Sequence, residues 1–200
     1  PDAAVTAQSI IAANGVDDAM ARQDIAETRD EIQRYHRLDI VTHHDGCYRI
    51  EGTALNQRLC LLHWLRRALR LCPQFVSHQF TPALKTALKQ LGIARPLYDD
   101  ANLRALIGFC SRKLQRQFEC RDVQFLQLYL QYCLIQHQLG NTPQFSHAQR
   151  SWTQSRGEYF TAQEIVRHWK RRVPQGAHVD EQLFLALLFM MLRTPDPVLD

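Results

Sequence analysis

The sequence predicts a mainly α protein in two modules: a pair of helices closed by a small β-hairpin, then a helical bundle. Three observations carry this. Apolar residues recur at three- and four-residue spacing through most of the chain after Gly52. An Asp45-Gly46 step between two short apolar runs marks a hairpin. Charge also divides unevenly. Residues 1–52 hold five Arg against ten Asp or Glu, net −5, and residues 53–200 hold nineteen Lys or Arg against ten acids, net +9. Such asymmetry marks different modules. The chain has 200 residues, 46% hydrophobic and 22% charged. That is ordinary for a globular protein and excludes general disorder, collagen and coiled-coil rods.

The elements follow in order. Residues 5–14 form a short Ala-rich helix with Thr6 as N-cap, and Gly15 reverses the chain because glycine accepts positive φ. Asp17 caps a second helix over 18–38, where Met20, Ala21, Ile25, Thr28, Ile32 and Tyr35 share helical spacing. Strands at 39–41 and 47–50 flank His43-His44-Asp45-Gly46. Two helices about a glycine turn and then a hairpin is the ordering of a winged helix-turn-helix. That fold has a further helix at its start, for which the four residues before Val5 leave no room.

Beyond Gly52 only helices are expected. Thr53 caps a helix over 54–71 with Leu55, Leu59, Leu62, Leu65 and Leu69 on one face, ended by Cys72-Pro73. A second runs over 82–91 to Gly92, and five more over 101–117, 122–139, 146–156, 160–172 and 180–193. Their short connections suit a bundle. The predicted organisation is a winged helix-turn-helix at 1–52 without its first helix, a helical linker at 53–99 and a five-helix bundle at 100–194. The Pro-rich residues around 195–200 read as a linker to a further C-terminal part.

The six cysteines (47, 60, 72, 110, 120, 133) form no CxxC pair and lie among apolar helical residues. They read as reduced, buried small hydrophobes, and with no signal-peptide pattern they place the chain in the cytoplasm. No metal is expected. Cys60-x-x-His63 is a zinc-site fragment without a second pair, and His43-His44 reads as an exposed turn. The sequence has no nucleophile elbow, dinucleotide fingerprint or phosphate loop, so neither an enzyme nor a cofactor is expected. Of the 24 basic residues 20 are Arg. They cluster at Arg66-Arg67-Arg70, Arg112-Lys113-Arg116 and Arg167-Lys170-Arg171-Arg172. Each cluster reads first as a solvated face, with an acidic partner protein or DNA backbone as the sharper alternative. Trp64, Trp152 and Trp169 read as core or dimer-interface anchors.

Gly15-Val16-Asp17 with Ala21-Arg22-Gln23-Asp24-Ile25 resembles the turn and recognition helix of bacterial helix-turn-helix regulators of the DeoR-like or BglG/MtlR kind. Asp45 to Gly52 with Arg58 looks like the wing and exit that join such a module to a PRD, the phosphotransferase-system regulation domain. Leu126 to Leu130 through Gly140, and Asp180 to Leu187, are similar to two PRD helices. The resemblance spans the chain and implies transcriptional control, DNA binding and a homodimer through the helical bundle. DNA contact then falls to Arg22, Gln23, Arg29 and, in the wing, Arg49. The family's two phosphorylated His positions fall on Tyr129 and Leu188, and Gln136 replaces its usual basic residue. The resemblance therefore implies the PRD fold without its phosphorylation switch. Asp17 and Asp18 open the recognition helix where DNA phosphates would approach. The alternative reading is a protein–protein interaction module that kept the scaffold and lost DNA binding.

Overall fold

The computed structural model describes residues 39–42, 48–172 and 178–192, together with residues 26, 27, 29, 30 and 33, which are helical. It is mainly helical. Strands β1 (Asp39–Thr42) and β2 (Tyr48–Glu51) pair antiparallel, with Ile40 opposite Ile50 and Val41 opposite Arg49. The pairing agrees with the hairpin read from Asp45-Gly46. The helix expected over 5–14, the Gly15 turn and the start of the next helix lie outside the described residues.

Gly52 turns the chain at φ 151°, a conformation that residues with a side chain avoid. Two residues later α1 (Ala54–Leu71) begins, with Thr53 as its cap: the Thr53 hydroxyl accepts from the Asn56 amide at 3.1 Å. The next helical segment differs from expectation. Pro73 ends α1 and also opens a new turn, Pro73–Phe75, since proline suits a first helical position. A π-helical stretch, Val76–Phe80, then leads into α2 (Thr81–Gln90). Pro82 has no amide to give and its ring would press on the preceding turn. Widening that turn, so that the Thr81 amide reaches Val76, makes room for it.

Five helices follow: α3 (Asp100–Leu114), α4 (Cys120–Gln138), α5 (His147–Gln154), α6 (Gly157–Arg172) and α7 (His178–Met191). Asp99 caps α3 through the Asn102 amide at 2.8 Å. Ser146 and Gln149 form a reciprocal capping box on α5. Gly140, at φ 79°, closes α4 by donating to His137 while Asn141 donates to Gln136. The expected five-helix pattern is present, with boundaries shifted by up to three residues.

α4 is the centre of the fold. It is buried from Phe125 nearly without interruption to His137, as expected for a helix enclosed on all sides. α1, α2 and α3 pack against it. One core holds Leu62 and Leu65 of α1, Leu84 and Leu88 of α2, Ile107 of α3, Leu126 and Leu130 of α4, Trp169 of α6 and Phe184 and Leu188 of α7. The segment 53–99 thus shares its core with the five helices after it. Among the described residues, no helix is long and apolar enough to cross a membrane.

Candidate functional site

The apolar face of α1 carries a charge. Leu55, Arg58, Leu62, Leu65 and Leu69 recur at three and four, and Arg58 is 1% exposed. The stripe therefore runs through Arg58 rather than Leu59, which is only half-buried. A buried guanidinium needs a counter-charge and hydrogen-bond acceptors. Glu181, on the first turn of α7 and fully buried, supplies the charge. The Arg58 Nη1 donates to Glu181 Oε2, and Nη2 donates to Oε1 at 2.9 Å and to the Asn141 carbonyl at 2.9 Å. The guanidinium lies 4.9 Å over the Phe184 ring. Burial works against the charge on Arg58, but Glu181 together with Cys133 and Tyr129 outweighs it and the guanidinium is held more strongly protonated than usual. Burial likewise pushes the Glu181 carboxyl up, and Arg58 and then His137 bring it below the usual carboxylate value.

His137 extends the network. Its Nδ1 is 3.1 Å from Glu181 Oε1 and 3.2 Å from Thr142 Oγ1, and its Nε2 is 3.1 Å from His178 Nδ1. One set of tautomers satisfies these contacts. His137 donates from Nδ1 to Glu181, His178 donates from Nδ1 to His137, and His178 Nε2 is left as a buried acceptor without a partner. Trp169 lies 5.9 Å from the His137 ring, centre to centre. The chain Arg58–Glu181–His137–His178 therefore ties α1, which begins just after β2, to α4 and α7.

This network predicts an acid-sensitive fold. Burial and then His137 and Lys170 hold the His178 imidazole below its usual 6.5. The unfolded chain therefore takes up this proton before the folded one does. The His178 contribution is complete above about pH 6.5 and is lost as pH falls below it. Glu181, whose folded value is depressed, adds its own loss only below its ordinary 4.5. Urea unfolding between about pH 7 and 5.5 should show stability falling by less than ~1.4 kcal/mol per pH unit, the one-proton limit. In His178→Asn the slope in this window should flatten.

The two positions singled out for phosphorylation are both buried. Tyr129 is 0% exposed, and its Oη donates to the Arg58 carbonyl at 2.5 Å. Phe125, Tyr132 and Phe184 surround its ring at 5.1, 5.7 and 6.3 Å. Burial raises its hydroxyl well above the usual tyrosine value. Leu188 is also 0% exposed and offers no nucleophile. Tyr129→Phe should cost about 1–3 kcal/mol in urea unfolding, because the buried Arg58 carbonyl is deprived of its tyrosine donor.

The other sequence candidates fall apart in space or outside the described residues. Arg22, Gln23, His43 and His44 lie outside the described residues. Arg29 is helical and exposed, and Arg49 sits on β2 opposite Val41. Gln136 is buried and accepts from the Asn141 side chain at 3.1 Å. Trp169 is core, Trp64 is half-buried against Phe75 and Phe80, and Trp152 is 50% exposed with Arg156 over its ring. Cys60, Cys72, Cys110, Cys120 and Cys133 are free thiols, and burial pushes Cys110 up to about 12. Cys72 and Cys120 are exposed, against the expectation of buried hydrophobes, because they sit at helix ends. No group of three His, Cys, Asp or Glu among the described residues is placed to hold a metal ion.

Sequence reasoning picks out Arg58 and the segment 180–187 that holds Glu181 but does not join them. The available signal is a cation standing on the apolar stripe of α1, which demands an anion elsewhere in the core. Which carboxylate answers it, 123 residues away, is set by tertiary packing.

Comparison with known proteins places this geometry. Residues 104–191 match the family model of the PRD domain. Over 187 residues, 94% of the chain, the sequence is 62% identical to the stationary phase-inducible protein CsiE of Escherichia coli (strain K12). The chain spans 44% of that relative's length. No solved structure matches. Arg58 lies before the matched segment, whereas Tyr129, His137, Glu181 and Leu188 lie within it. The segment that is similar to a PRD domain runs from α3 to α7.

Proposed function

We propose that the chain is the N-terminal part of a cytoplasmic transcriptional regulator of the PRD-containing helix-turn-helix type. In this reading residues 1–52 bind DNA. The helix after Gly15 enters the major groove with Arg22, Gln23 and Arg29, and β1 and β2 form the wing with Arg49. The helical bundle sets the geometry of a homodimer. There is no catalytic activity and no cofactor, and the domain is held in one state by its buried ion network instead of being switched by phosphoryl transfer.

The observation that carries the reading is the bidentate Arg58–Glu181 contact. It joins the helix leaving the β-hairpin to the last PRD helix. The two family acceptor positions, correspondingly, hold a buried tyrosine and a leucine. In this reading the bundle is a fixed platform for the N-terminal module.

Fluorescence anisotropy of the full-length protein on a pool of genomic DNA fragments, at low and then physiological salt, tests DNA binding. Binding that weakens with salt and is abolished by Arg22→Ala with Arg29→Ala is the expected result. Absence of binding even at low salt would overturn it. The net −5 charge of residues 1–52 favours the second reading in that event: an interaction module whose basic bundle takes an acidic protein partner.

A further inference from the structure

The widened turn before Pro82 forms one wall of a cavity of about 140 Å³. Val76, Ser77 and Thr81 line it on that side, Asp100 and Arg104 of α3 on another, and α4 closes it with Leu128 and Gln131. Val76, Leu128 and Gln131 are buried and make its floor, while Ser77, Asp100 and Arg104 are exposed at its mouth. Single π-helical turns recur at functional sites. The space equals that of about five waters, and so suits a molecule of about five to seven non-hydrogen atoms.

Gln131 separates this cavity from a packing gap. It is 1% exposed, and its Nε2 donates to the Gln127 carbonyl at 2.7 Å. That bond fixes the amide, because turning it over would set two oxygens against each other. Its Oε1 is buried, and among the described residues nothing donates to it. A buried acceptor without a donor is destabilising. The donor that meets it has to come from the cavity that Gln131 lines. The mouth adds a charge pattern. Lys85 lies 3.5 Å from the Asp100 carboxylate and balances it. Arg104 stands one turn further along α3, and α3 begins at Asp100. The unpaired amides of a helix's first turn favour negative charge, as does the guanidinium beside them. The cavity therefore calls for a hydrogen-bond donor at its floor and an anion at its mouth. A polyol supplies only the first and a simple carboxylate only the second. A zwitterion supplies both.

We infer that this cavity binds a small α-amino acid of the size of glycine, alanine or serine. The ammonium donates to Gln131 Oε1, and the Arg104 guanidinium holds the carboxylate through charge-assisted hydrogen bonds. The site is built by α2, α3, α4 and the π-helical stretch, and it does not depend on the DNA-binding reading above.

Calorimetric titration of the full-length protein tests it with three probes of similar size: L-alanine, propionate, which lacks the ammonium, and glycerol, which lacks charge. L-Alanine up to about 10 mM should saturate the site, with Kd of about 1 mM or below. Propionate and glycerol should bind about tenfold more weakly or not at all. Gln131→Leu should bring L-alanine down to the level of propionate. Arg104→Gln, at an exposed position, should weaken L-alanine by about tenfold or more. Arg112→Gln, exposed in the last turn of α3, should leave its affinity unchanged. Thermal unfolding of each variant checks the fold, and Arg104→Gln keeps the test decisive if Gln131→Leu does not fold. No saturation by L-alanine, or saturation that survives Arg104→Gln, would overturn the site. Glycerol or propionate binding as tightly as L-alanine would overturn the choice of an amino acid.

Discussion

Glu181→Gln is expected to destabilise the chain by about 3–5 kcal/mol in urea unfolding, among the largest effects available to a single substitution in the fold. The side chain that remains has the right size but no charge. It leaves the Arg58 guanidinium 1% exposed without a counter-charge, with one amide oxygen, the Asn141 carbonyl and the face of Phe184 as partners. It also turns the His137 contact from a charged into a neutral one. Arg58→Met should cost a similar amount for the opposite reason, stranding the carboxylate. The double variant Arg58→Met/Glu181→Leu should recover most of the loss, since a buried pair replaced by apolar side chains is often neutral. If both single variants unfold like the wild type, the ion pair does not join α1 to α7.

Trp169→Ala should cost about 3–5 kcal/mol, the usual range for emptying a buried aromatic site. Trp169 is 1% exposed, and its ring lies beside His137. Its removal opens a cavity against the polar network, where water can compete for His137. Trp152→Ala should change stability far less, because that ring is 50% exposed and covered on one side by Arg156. Thermal unfolding of both variants beside the wild type checks the contrast. Equal losses would contradict the packing described.

The helical content, the cap at Thr53 and the strand pairing were legible because each has a local cause. Apolar spacing of three and four gives helices, and a short oxygen-bearing side chain at the right place gives a cap. Helix boundaries were less legible. Pro73 read as a stop and is also a start, since proline breaks the helix before it and suits the one after it. The π-helical stretch before Pro82 left no mark in the apolar pattern, because it serves a backbone clash. The polar centre was the least legible part. Arg58 was visible as a residue, but its value depends on Glu181 and His137 meeting it across the core. Leu59 took its place in the predicted stripe because hydrophobicity alone cannot tell a paired buried arginine from an exposed one.

In the proposed reading the helical bundle is held in one state by its buried network, with no phosphoryl switch. The most direct test measures DNA affinity of the full-length protein before and after incubation with a phosphohistidine donor protein, with mass spectrometry of the same samples. No phosphate on residues 104–191 and an unchanged affinity are the expected result. Phosphate on a histidine of that segment, His137 included, together with a changed affinity would contradict it.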